Sequence, residues 1–128
     1  MDYLYHLGKL SLVLRVIYHL KHHALPIRFI TVLHQLDGWV VRIKTGLLWD
    51  QGSLDNLQAF LLEVGVPYRP SSTMISLLES LEQGQSPTMV MNRYHIPVIV
   101  HGKPDAEEIH VFEAELIQGL GYRPETLA

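Results

Sequence analysis

The sequence predicts an α+β fold, a single domain over residues 1–128 with an antiparallel sheet and helices packed on one face. Three observations carry that expectation. Two runs rich in β-branched and aromatic residues flank Asp37-Gly38, a strong hairpin signal. Several segments repeat apolar residues at helical spacing. A second stretch of strand composition, TMVMNRYHIPVIVH, follows at residues 88–101.

The first segment, residues 2–22, reads as a helix. Tyr3, Leu7, Leu10, Leu14 and Ile17 form one stripe, and Val13, Val16 and Leu20 widen it. That sector is broader than one core face requires, so the helix is expected either inside the fold or with a second face for another chain.

The hairpin follows. A two-residue Asp37-Gly38 loop would set Leu36 opposite Trp39, His34 opposite Val41, Val32 opposite Ile43 and Ile30 opposite Thr45, all toward the core. Gln35, Leu33 and Thr31 would then lie with Val40, Arg42 and Lys44 on a mixed and mostly wet face.

A helix with Ser53 as N-cap should bury Leu54, Leu57, Phe60, Leu61 and Val64 and end at Gly65. A third, over residues 73–83, should turn Met74, Leu77, Leu78 and Leu81 inward before Gly84. Within residues 88–101, Pro97 removes a ladder donor and places that piece at a sheet edge or bulge. Asp105 and Glu108 resemble a capping box that opens a last helix to about residue 118. An echo between residues 39–46 and 94–101, each followed by a helix and a Tyr-Arg-Pro exit, suggests a duplicated ββα unit.

Composition narrows function by exclusion. With 128 residues, 48% hydrophobic and 18% charged, the chain can bury a proper core without staples. It has no cysteine, which excludes disulfides, thiolate metal sites and thiol catalysis. A net charge of −3 leaves no nucleic-acid footprint. The apolar residues near the start are too few and too interrupted to span a bilayer, and no small-residue cleavage site follows them. The chain reads as soluble and cytoplasmic.

Eight histidines make the chain histidine-rich and supply most of the candidate chemistry. His19, His22 and His23 have helical spacing for two imidazoles on one ion, but Leu20 and Lys21 between them supply no carboxylate, so no metal is expected. His34 points toward the core face and reads as a hydrogen-bonded packing residue. With His95 and His101 it would line a ligand pocket if the two strand regions pair. Arg69 and Arg123, each in a Tyr-Arg-Pro exit, could grip carboxylates of a partner. No nucleophile elbow, glycine-rich phosphate loop or buried acid pair is present, and no cofactor is expected.

The sequence therefore points to a non-enzymatic protein-interaction module, either an accessory subunit of a larger complex or a small homo-oligomer. Its partner is expected to be a protein or a second copy. The alternative is a small-ligand-binding or enzymatic domain with a pocket lined by His34, His95 and His101.

Overall fold

The computed structural model describes residues 2–23, 27–35, 37–46 and 49–102, and for residues 21–23 and 99–101 the backbone alone. The elements are β1 (Asp2–Leu7), α1 (Leu10–His23), β2 (Ile27–Gln35), β3 (Gly38–Thr45), α2 (Gln51–Val64), β4 (Val66–Pro67), α3 (Ser72–Glu82), α4 (Pro87–Tyr94) and β5 (Val98–Gly102). The sheet has the order β4-β1-β3-β2-β5, and every neighbouring pair is antiparallel. The α+β class stands.

The connectivity follows from the order. β1 and β2 are joined through α1 and lie either side of β3; β3 and β4 are joined through α2 and lie either side of β1. This is a split β-α-β unit used twice, the connectivity of ferredoxin-like domains. The segment α3-α4-β5 is an addition that carries a fifth strand to the free edge of β2.

The chain start is a strand and not part of a helix. Tyr3, Tyr5 and Leu7 are buried while Leu4 and His6 are half-buried, a period of two that shares its residues with the helical stripe. Gly8-Lys9 separates it from α1. In α1, Val13, Leu14, Val16 and Ile17 are at most 1% exposed. The width of that apolar sector is used internally, against the sheet and against α2, where the His19 ring stacks on Phe60 at 3.9 Å.

Helices cover both faces of the sheet, which corrects the expectation of one. The first core joins Tyr3, Tyr5, Leu7, Ile30, Val32, Trp39, Val41 and Ile43 of the sheet to α1 and α2. The second joins Leu33 and Val40 to Met74, Leu77, Leu78 and Leu81 of α3, Val90 of α4 and Val98 of β5. The face expected to be wet is therefore dry at Leu33 and Val40, both 0% exposed.

The hairpin register is also corrected. Gln35 pairs with Gly38, His34 with Trp39, Val32 with Val41 and Ile30 with Ile43. Each partner is displaced by two residues from the expected pairing. A slip of two preserves the faces, because side chains alternate with a period of two. The reason lies at Gly38, which closes the ladder at φ +145°. A Cβ there would meet Leu7 O at 2.6 Å and the His6 ring at 2.9 Å, so glycine serves the close approach of β1.

Helix ends explain the remaining differences. Asp50, and not Ser53, caps α2, accepting from Ser53 N at 2.7 Å. Ser71 caps α3 and Ser86 caps α4, each accepting from the backbone N–H three residues on at 3.2 Å. Ser86 with Pro87 at the first helical turn starts a helix where strand composition suggested a strand. Only β5 remains of that strand region, at the sheet edge with a register irregularity, as Pro97 requires. Residues 87–94 are helical, so a strand pair within residues 88–101 is absent, and the helix and Tyr-Arg-Pro exit of the second expected ββα unit lie outside the described residues. The expected C-terminal helix lies outside the described residues.

Polar groups on the second face are tied together. Arg42 binds Asp2 in two-pronged fashion, with Nε to Oδ1 at 3.1 Å and Nη2 to Oδ2 at 2.7 Å, and reaches Glu82 Oε2 at 3.2 Å. Lys44 also donates to Glu82. Phe29 lies under the Arg42 guanidinium, 5.1 Å from its ring centroid. The Lys44 hydrogen bond, followed by the nearby Arg42 charge, outweighs burial and holds the Glu82 carboxyl below its ordinary value.

Candidate functional site: the hairpin end and the loop before the edge strand

The β2–β3 hairpin and the loop between α4 and β5 meet at one end of the sheet. His34 N–H donates to Pro97 O at 3.1 Å, which pins the loop against β2 before the β5 ladder begins. Between them lies a concavity of about 600 Å³, lined by His34, Gln35, Asp37, His95, Ile96 and Pro97. Its volume lies within the range of small-molecule sites, roughly 300–1,000 Å³.

His34 lies on the expected face of β2 but beyond the core. Its side chain is exposed, and its ring stacks on Trp39 at 4.2 Å with an interplanar angle of 20°. The expected core histidine is thus corrected. The cross-strand pair His34–Trp39 sits one rung before the end of the hairpin, where Trp39 is buried to 6% exposure and His34 is not.

His95 arrives from the far end of the chain. It terminates α4 in the left-handed conformation, φ 58° and ψ 31°, with its N–H donating to Met91 O at 2.9 Å. It is the sole non-glycine residue with positive φ among the described residues. Glycine or asparagine usually takes this position after a helix, and a side chain here is strained. The imidazole is nevertheless exposed at the rim of the concavity.

Gln35 and Asp37 complete the polar lining. Gln35 Nε2 donates to Tyr68 Oη at 3.3 Å, leaving its carbonyl as the acceptor end. Asp37 is largely exposed, and Oδ1 stands 3.5 Å from His6 Nε2. That nitrogen is buried and makes no hydrogen bond; the contact becomes an ion pair when the ring is protonated. His6 is held by the Gly38 backbone and by Tyr68, whose ring centroid is 6.5 Å away.

The other sequence candidates lie elsewhere. The side chain of His101, which pairs with Thr31 in the β2–β5 ladder, lies outside the described residues, as do those of His22 and His23 and all of Arg123. On α1, His19 is stacked against Phe60 of α2. Arg69 is exposed beyond β4. Its neighbours Tyr68 and Pro70 line a second hollow of about 340 Å³ with Asp2, Leu4, Arg42, Ile75, Leu78 and Glu79. Among the described residues no group of three or more histidine, aspartate or glutamate side chains is placed to hold a metal ion, and no helix is long and apolar enough to cross a membrane.

Gln35, Asp37, Ile96 and Pro97 were not singled out from the sequence. One signal for them existed: Asp37 and Pro97 each mark a chain reversal or ladder end, where loops carry side chains free of packing duties.

Connectivity and site together make a ferredoxin-like arrangement of strands and helices extended by a second helical layer and a fifth strand, with a polar-rimmed concavity where that strand begins. Protein-family models, curated proteins and solved structures yield no match to this chain.

Proposed function

We propose that this protein is a small-molecule-binding domain whose site is the concavity between the hairpin end and residues 95–97. The observation that carries the reading is the convergence of His34 and His95 on one hollow, with His95 held in a backbone conformation that disfavours it. A side chain kept at a strained, exposed position with no packing role points to use. The two imidazoles supply polar ring nitrogens, and Ile96 with Pro97 supplies apolar wall. Binding rather than catalysis is the function proposed.

Ligand-observed NMR with a fragment set tests this. Fragments that bind the intact protein should lose most of their saturation transfer with His34→Ala and with His95→Gly. Retention of the same fragments, undiminished, by both variants would place binding elsewhere and refute the reading.

A second reading keeps the protein as an interaction module. Its support is the exposure of Leu62, Val66, Ile75 and Met89, with Val66 60% exposed on the two-residue edge strand β4. Open strand edges and exposed apolar side chains are common docking devices. Light scattering coupled to size exclusion checks its homo-oligomer form: a dimer that dissociates with Val66→Lys supports self-association, and a monomer at high concentration rules self-association out.

A further inference from the structure

The lining of the concavity is one-sided in its hydrogen-bonding character. Gln35 is fixed by Tyr68 so that its carbonyl is its acceptor end, and Asp37 is a carboxylate. None of the described residues that line the hollow is a lysine or arginine. The Asp37 carboxylate and the Gln35 carbonyl suit a ligand that donates N–H groups and resist an anion. His34 has one ring face stacked on Trp39, and Pro97 and Ile96 line the same hollow. An aromatic ring beside a proline favours a planar group that can stack.

Resting on the reading of this hollow as a small-molecule site, we propose that it takes a planar, nitrogen-rich group, an amidinium or an amino-substituted heteroaromatic ring. The face of that group lies on the His34 imidazole, and its N–H edge is directed at Asp37 and the Gln35 carbonyl. Binding is non-covalent, and no bond in the ligand changes.

Four probes separate the possibilities: benzamidinium (planar cation), 2-aminopyrimidine (planar neutral donor), benzoate (planar anion) and cyclohexylammonium (non-planar cation). Each is titrated into the full chain, following the His34 and His95 imidazole signals and the Asp37 amide. Benzamidinium and 2-aminopyrimidine should shift all three, with benzamidinium bound about tenfold or more tightly than benzoate. Asp37→Asn, which a turn accepts as readily as aspartate, should weaken benzamidinium about five- to tenfold, the loss of one solvent-exposed charge-assisted hydrogen bond, and leave 2-aminopyrimidine less affected. If benzoate or cyclohexylammonium binds as well as benzamidinium, the ligand class is overturned while the site stands. If none of the four shifts these signals at millimolar concentration, the site itself fails and the inference with it.

Discussion

Replacing His95 by glycine should stabilise the protein while emptying its candidate site of one imidazole. The left-handed conformation at φ 58° costs an L-residue roughly 1–2 kcal/mol relative to glycine. Histidine visits this region more readily than most residues, so the lower end applies. Glycine returns about 0.4–1 kcal/mol of that through the greater freedom of its unfolded chain. The exposed imidazole contributes no core contact to lose, and the cap hydrogen bond from residue 95 N–H to Met91 O is backbone and survives. The net expectation is a gain of about 0.5 kcal/mol, a rise in melting temperature of roughly 2 °C for a chain of this size. His95→Ala keeps the strain and should show no gain. Differential scanning calorimetry or urea unfolding of the three proteins decides the matter. A His95→Gly variant less stable than wild type by 1 kcal/mol or more would mean that the imidazole makes stabilising contacts, and the inference from strain to use would collapse.

Three further outcomes are expected. Leu33→Ala should cost about 2–5 kcal/mol, as for other fully buried leucines; a loss below 1 kcal/mol by urea unfolding would contradict the second core. Gly38→Ala should destabilise by more than about 2 kcal/mol, since its Cβ would sit 2.6 Å from Leu7 O in a positive-φ position, and a near-wild-type melting temperature would refute the close approach of β1. Finally, the depressed Glu82 carboxyl binds protons less readily folded than unfolded, so stability should be full above the unfolded glutamate value, near pH 4.3, and fall as pH drops through the lower folded one. Glu82→Gln should flatten the fall in urea midpoint below about pH 5; an unchanged slope would show that Lys44 and Arg42 do not hold that carboxylate in solution.

Much of the architecture was legible because local pattern and tertiary role agree. The stripes Leu57, Leu61, Val64 and Met74, Leu77, Leu78, Leu81 are buried as helical spacing implied. Where they conflict, neighbours in space decide. Tyr3 and Leu7 fit a helix four apart and a strand two apart equally well, and only the pairing of Tyr3 with Ile43 and Leu7 with Trp39 selects the strand. Thr88 to Met91 has strand composition, but Ser86 and Pro87 set a helix start that outweighs it. The hairpin faces survived a wrong register because Gly38 answers to β1 and not to the turn alone. For the site, His34 and His95 were named from sequence, yet their meeting depends on a backbone hydrogen bond between β2 and Pro97 that no local pattern encodes.

The placement of α3-α4-β5 after the complete split β-α-β unit has a consequence for synthesis. All of β1 through β4, and the α1–α2 layer, are contained in residues 2–67, so one core can close before residue 72 leaves the ribosome. Until residues 72–98 follow, Leu33 and Val40 face water and the edge of β2 stands unpaired. The nascent chain thus passes through a stage with an apolar sheet surface open to a neighbour, the form most exposed to aggregation. Truncation after β4 should accordingly give a protein that needs a chaperone to stay in solution.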